Sequence, residues 1–170
     1  MPEPLLVADG RKVVLRSAAT TDLRKLLRLL AELQLPAAGV EEWWPHFTVA
    51  DSGGVIVGVA GIEPYGSAVL LRSVAVAPAW RNCGLAQALV AAVLDTAIDS
   101  GAGEVFLLTT TAEGYFPRLG FTPIPRDLVP RAILDSVEFR EACPVSAIVM
   151  HRRLGPRESK STSTPARTTR

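Results

Sequence analysis

The chain has 170 residues, 48% apolar and 21% charged, with a formal net charge of +1. That length suits one domain with a real core, and so even a charge balance gives no global field for nucleic acid or an acidic membrane surface. No apolar run approaches the roughly 18 residues of a membrane span, the start MPEPLLVADGRKV lacks the pattern of a secretory leader, and two cysteines far apart in sequence, Cys83 and Cys143, give neither a disulfide framework nor a metal spacing; these features predict a cytoplasmic, metal-free protein.

In chain order, residues 1–10 read as a loose start, and KVVLRSA (Lys12 to Ala18) is a short β-branched strand. TTDLRKLLRLLAEL places Leu23, Leu26, Leu27, Leu30 and Leu33 at helical spacing, with Thr20 or Thr21 as N-cap and Pro36 beyond the end. LPAAGVEEWWPHF is broken by Pro36, Gly39 and Pro45 yet rich in aromatics, which either line a pocket or cap the edge of the core. FTVADSGGVIVGVAGIEPYG predicts a hairpin around Asp51-Ser52-Gly53-Gly54. SAVLLRSVAVAP is nearly continuous in apolar residues and so reads as a central strand, with Arg72 its one charge.

A helix is expected from about Leu85 to Ser100, stopping near Gly101, and EVFLLTT is a further buried strand followed by a short helical start over Thr111 to Phe116. Pro123, Pro125 and Pro130 mark a loop that yields a short helix over RAILDSVEF, and PVSAIVMHRRL closes the domain as a strand. Strands interleaved with helices predict an α/β or α+β protein with a mixed sheet. Residues 1–154 form a single domain in this reading, and 155–170 a disordered polar tail. No internal repeat is present.

The most informative stretch is VAVAPAWRNCGLAQALV, Val74 to Val90. A loop that ends a strand and opens a helix leaves several backbone N–H groups without intrahelical partners. Those donors and the helix dipole attract phosphate. Gly84 and the small Ala86 let a ligand approach the backbone, and Arg81 can add charge-assisted hydrogen bonds. Read as a bare pattern, the same residues also describe a tight turn with a solvated arginine. Neither a Walker loop nor G-x-G-x-x-G is present.

This stretch resembles the acyl-CoA-binding segment of the GNAT superfamily of N-acyltransferases, a strand, then Arg/Gln-x-x-Gly-x-Gly/Ala, then a helix. Arg81, Gly84 and Ala86 match its three signature positions. A second match is LLTTTAEGYFPRLGF, similar to the family's next CoA-contacting segment, and the resemblance covers roughly residues 11–154. It implies a mostly antiparallel central sheet with helices on both faces and acetyl-CoA as co-substrate. The backbone of Asn82, Cys83, Gly84, Leu85 and Ala86, beside Arg81, would hold the pyrophosphate. Val74, Ala75 and Val76 would pair with the pantetheine arm, with Phe116 at a further cofactor-contacting position. More narrowly, LLRSVAV, LLTTTAEGYFPRLGF and SVEFREACPVSAIVM are similar to an arsenic-resistance-associated branch of the family, and in part to amino-acid N-acetyltransferases of arginine biosynthesis. A homodimer through the C-terminal strands is a further implication.

The backbone N–H near Val74 would polarise the acetyl carbonyl, and much of the rate would come from holding amine and thioester together. Many GNAT enzymes carry a glutamate where this chain has Arg72. An arginine there cannot be a base, but it can grip a carboxylate; the alternative is an ion pair with a buried acid. With Ser73, Thr110 and Thr111 it forms the expected acceptor-binding set. Glu63, at the end of the neighbouring strand, is the candidate base, directly or through water, against the alternative of a solvated strand-end carboxylate. The family's acid tyrosine falls on Phe116, with Tyr115 beside it. Cys83, Cys143, His46 and His151 read as packing or surface residues. The expected function is acetyl-CoA-dependent N-acetylation of a small amino acid or an amino-acid-like acceptor, arsenical and phosphinic compounds included. The alternatives are acetylation of protein or peptide N-termini and a non-catalytic acyl-CoA sensor.

Overall fold

The computed structural model describes residues 5–7 and 9–156. The expected polar tail therefore lies, from residue 157 onward, outside the described residues. The strands are β1 (Leu5–Leu6), β2 (Lys12–Ser17), β3 (Phe47–Ser52), β4 (Val55–Tyr65), β5 (Ala68–Val76), β6 (Glu104–Thr109), β7 (Thr122–Pro123) and β8 (Ile148–Arg153). The helices are α1 (Leu23–Glu32), α2 (Val40–Trp43), α3 (Leu85–Asp99) and α4 (Arg131–Leu134), with a π-helical turn at Glu138–Ala142. The strands form one sheet of order β1-β2-β3-β4-β5-β6-β8-β7. Every pairing is antiparallel except β5 with β6.

Each face of the sheet is covered. On one side α3 turns Leu85, Leu89, Val93 and Ala97, spaced four apart, onto Ile62, Val69, Leu71, Val105, Leu107 and Met150. The other side carries two separate covers. Leu26, Leu29 and Leu30 of α1, with Val40, lie on Phe47, Val49, Val59 and Ala75. Val129, Ile133 and Phe139 lie on Ala68, Leu70, Phe106 and Val149. Each buried leucine of α1 contributes about 1.5–3 kcal/mol by leaving water. The seam between these two covers crosses β5 at Arg72.

Several sequence expectations change in detail. Residues 5–6 are not loose but pair with Lys12 and Val13. The expected threonine cap of α1 is replaced by Asp22, whose carboxylate accepts the Ala19 N–H at 2.7 Å while Thr20–Asp22 form a 3-10 turn. The helix expected over RAILDSVEF breaks after Leu134, and the Ser136 hydroxyl accepts the Phe139 N–H at 3.4 Å, an alternative to helical pairing. The last strand starts only at Ile148, after the Ala147 N–H has closed a turn on the Pro144 carbonyl at 2.9 Å.

Asp22 also receives two hydrogen bonds from Arg16, at 2.6 and 3.0 Å, and these hold its carboxyl below its ordinary value of 3.8. A lowered folded-state pKa stabilises the fold above the ordinary value, and that stabilisation is lost as pH falls through the lowered one. Asp22→Asn is expected to cost on the order of 1–3 kcal/mol at pH 7 in urea unfolding. The gap should narrow as pH falls below about 4, where the unfolded chain takes up a proton that folded Asp22 still resists; a gap independent of pH would refute the ionic contribution.

Candidate active site

The parallel pairing of β5 with β6 stops at Leu70–Phe106. Beyond that point β5 continues through Val76, still paired to β4 as far as Gly58, and β6 continues through Thr109, still paired to β8 at Ile148. Each strand keeps its outer partner and parts from the other, so the sheet opens in a V at its centre. A bulge sits at the opening. Val59 pairs with Ala75 and Gly61 with Arg72, leaving Ser73 and Val74 opposite Ala60 alone, and Ser73 has φ +55°. The extra residue flips the side-chain alternation. Val74 and Val76 therefore join Val69 and Leu71 on the α3 side, while Arg72 stays with Leu70 on the other. Ser73 and Val74 are partly exposed within a strand otherwise buried. Backbone groups on the parted edges require partners from outside the sheet.

The V leads into the loop at the start of α3. Pro78 ends the strand, Asn82 and Gly84 take left-handed φ of +60° and +83°, and α3 begins at Leu85. A Cβ on Gly84 would meet nothing within 4 Å, so the space in front of this backbone is open. Arg81 is exposed and bends back, its Nε donating to the Val76 carbonyl at 3.3 Å. Cys83 is buried, with its thiol donating to the Trp80 carbonyl at 2.8 Å. The bends thus put backbone N–H groups at a helix N-terminus beside open space and an arginine, an arrangement fitted to an anion. A groove of about 280 Å³ runs along α3 from Gln87 past Val90 and Ala91, with Arg118, Leu119 and Arg152 as its far wall.

On the other side of β5, Arg72 is the hub of a buried polar cluster. Its Nη1 donates to Glu63 Oε2 at 2.9 Å, and its Nη2 meets Glu138 Oε1 at 3.0 Å and the Ala38 and Pro36 carbonyls at 2.7 and 3.4 Å. Its Nε donates to Ser73 Oγ at 3.2 Å. The Tyr65 hydroxyl donates to Glu63 Oε1 at 2.7 Å, and the Cys143 thiol to Glu138 Oε2 at 3.1 Å. Burial and the hydrogen bond to Glu63 raise Tyr65 above its usual pKa; burial, then the Glu138 carboxylate, push the Cys143 thiol up to about 12. Both groups therefore stay protonated as donors. The cluster lies in the seam between the two covers and ties β4, the α1–α2 loop and the π turn to β5 (Gly39, where a Cβ would come within 2.9 Å of Arg72 Nη1, marks how tightly that loop is drawn in).

The site residues expected from sequence gather unevenly. Ser73 to Val76 and Arg81 to Ala86 line the V and the loop at its end. Thr110 and Thr111 are exposed just past the end of β6, while Thr109 is buried and accepts the Ala112 N–H at 2.9 Å. Arg72 and Glu63 do meet, but each leaves only 1% of its side chain exposed, and both Glu63 oxygens are already engaged. Phe116 is a core residue, stacked edge-on against Phe121 and Tyr115. Tyr115 is half-buried, and that burial raises its pKa. Trp43 leans on Tyr65 with ring centres 5.6 Å apart and caps the α1-side core. Among the described residues, no group of three or more His, Cys, Asp or Glu is placed to hold a metal ion, and no helix is long and apolar enough to cross a membrane.

A mixed sheet that parts beside a left-handed loop and a helix N-terminus is accompanied by a match of residues 18–121 to the Acetyltransferase (GNAT) family. The chain belongs to the GNAT family. A GNAT acetyltransferase takes its acetyl group from acetyl-CoA, and the open backbone of the α3 loop fits the pyrophosphate of such a donor. The chain is 34% identical to an uncharacterized N-acetyltransferase of Chlorobaculum tepidum, over 61% of this chain and 68% of that protein. It is 26% identical to the amino-acid acetyltransferase of Escherichia coli K12, over 69% of this chain and 29% of that one. It therefore spans less than a third of that larger relative. Among solved structures it superposes on Rv2747 of Mycobacterium tuberculosis in complex with CoA and NLQ, with TM-score 0.70 and 26% identity over 83% of this chain and 99% of that one. The fold is also that of N-acetylglutamate synthase from Neisseria gonorrhoeae complexed with coenzyme A and N-acetyl-glutamate, with TM-score 0.72 and 22% identity over 84% of this chain and 35% of that one.

Within this GNAT site, sequence reasoning missed Glu138 and Tyr65. Tyr65 lies two residues beyond Glu63, so both can leave the strand on one face. Glu138, by contrast, arrives from a distant turn. The only trace in the sequence is a charge inside the apolar run Val137-Glu138-Phe139.

Proposed function

We propose that this GNAT enzyme transfers the acetyl group of acetyl-CoA to the amine of a small amino acid or amino-acid-like compound, arsenical and phosphinic analogues among them. The observation that carries the reading is the parting of β5 from β6 at a bulge that leads directly into the α3 loop. The pantetheine arm would take up the parted edge of Val74 to Val76, the pyrophosphate the amides of Asn82 to Ala86, and the Arg118–Arg152 groove the more distal phosphate. The Val74 N–H then polarises the thioester carbonyl. The acceptor enters from the Ser73 and Thr110–Thr111 side, where Arg72 is the cation behind the bulge. Glu63 is the fixed partner of Arg72, and an amine that arrives neutral needs no separate base. The similarity to amino-acid acetyltransferases supports an acceptor bearing a carboxylate or a comparable anion.

The test is acetyl-CoA-dependent thiol release against separate pools of free α-amino acids, phosphinic and arsinic amino-acid analogues, and short peptides. Release with the first or second pool is expected. Release with peptides alone would transfer the assignment to protein N-termini, and acetyl-CoA binding with no release in any pool would make the protein an acyl-CoA sensor.

A further inference from the structure

We propose that Glu138 is a built-in competitor for the acceptor's carboxylate: it occupies the Nη2 position of Arg72 in the free protein and yields it when an acceptor binds. This rests on the amino-acid reading above and assigns Glu138 as the residue that sets acceptor affinity and selectivity. Arg72 contacts two carboxylates, so the cluster holds one anion more than its cation balances. An uncompensated buried carboxylate is costly, and of the two the less firmly held is the one to leave.

The two differ in every respect that decides this. Glu63 stands on β4 opposite Leu70, is held by both Arg72 and the Tyr65 hydroxyl, and leaves 1% of its side chain exposed. Glu138 belongs to no ladder. It lies on a π-helical turn, leaves 8% of its side chain exposed, and among the described residues receives at its second oxygen only the thiol of Cys143, a weak donor. Nothing else in Arg72 depends on it. With Glu138 gone, Nη2 keeps the Ala38 and Pro36 carbonyls and Nη1 keeps Glu63, so the guanidinium stays aimed at the seam behind Ser73. A ligand carboxylate taking the same place leaves the charge of the cluster unchanged and returns Glu138 toward water. Arg126 is a cation nearby: its guanidinium lies 5.2 Å from the ring centre of Phe139, the residue after Glu138, and its charge acts on the Cys143 thiol that Glu138 holds. Because the competent state must first lose Glu138, the apparent acceptor affinity is the intrinsic one scaled by the fraction already open.

Two measurements test this. In the first, Glu138→Gln, which keeps a carbonyl oxygen for Nη2 but removes the charge, is compared with wild type on free α-amino acids and the matching α-carboxamides. The ratio of kcat/KM for acid over amide is expected to rise about tenfold, the worth of a hydrogen bond to a charged group; an unchanged or lower ratio overturns the proposal. The second uses the wild-type protein with saturating desulfo-CoA and follows maleimide labelling of Cys143 by peptide mass. Displacing Glu138 removes one cause of the raised thiol pKa, so the amino-acid pool is expected to speed labelling several-fold and the amide pool not at all. Equal labelling with both pools overturns the proposal even if the variant fails to fold. Accelerated labelling by an amino-acid pool that releases no thiol from acetyl-CoA in the turnover assay would instead retain the Glu138 exchange and remove the amino-acid acetyltransferase reading.

Discussion

Replacing Arg72 with methionine is expected to lower unfolding stability by about 3–5 kcal/mol at pH 7, the cost of removing one partner from a buried ion pair. Glu63, with 1% of its side chain exposed, would then face an apolar chain in place of the guanidinium, and Glu138 would keep the weak Cys143 thiol donor. Urea unfolding at pH 7 measures that cost. A loss below about 1 kcal/mol at pH 7, the scale of a solvent-exposed pair, would show that the cluster does not depend on its arginine. The same variant separates two functions. Acetyl-CoA affinity, which the proposed function places in the α3 loop, should survive under conditions where the variant is folded, whereas acceptor turnover should be lost. Loss of both together would place Arg72 in the cofactor site or in the folding of the whole sheet.

Gly84→Asp is expected to weaken acetyl-CoA binding more than about a hundredfold, since a like charge set against a bound anion costs several kcal/mol. The geometry makes the experiment clean. Gly84 has φ +83° and caps α3, and a Cβ there meets no atom within 4 Å, so the side chain enters open space rather than the core. Aspartate and asparagine are the non-glycine residues that best tolerate this conformation. Gly84→Asn therefore supplies the neutral control, with the same shape and similar backbone strain. Calorimetric titration of CoA into both should show the aspartate variant much the weaker, with the gap narrowing as salt is raised. If the two variants bind alike, the α3 loop does not hold the diphosphate.

Much of the fold is legible along the chain because it depends on local pattern. Leu23, Leu26 and Leu30 of α1 and Leu85, Leu89, Val93 and Ala97 of α3 recur every three or four residues, β5 is apolar on both faces as a central strand must be, and Asp51 to Gly54 do turn the β3–β4 hairpin. Boundaries are less legible where side chains compete with the backbone. Asp22 displaced the threonines as cap, and Ser136 helped divide the expected C-terminal helix.

The candidate site divides along the same line. Arg81, Asn82, Gly84 and Ala86 are close neighbours in the chain, and the positive φ at Asn82 and Gly84 together with the start of α3 is a property of that short segment alone. The sequence by itself therefore determined the shape of the α3 loop and, with it, the family. The acceptor side is different in kind. Arg72, Glu63 and Glu138 come from β5, β4 and a turn before β8, and the Pro36 and Ala38 carbonyls from a loop before α2. No spacing encodes that meeting. It follows from the order of strands in the sheet and from the seam where two covers abut, and burial then requires that every charge brought there find a partner. Tertiary structure alone decided that Arg72 is held between two carboxylates.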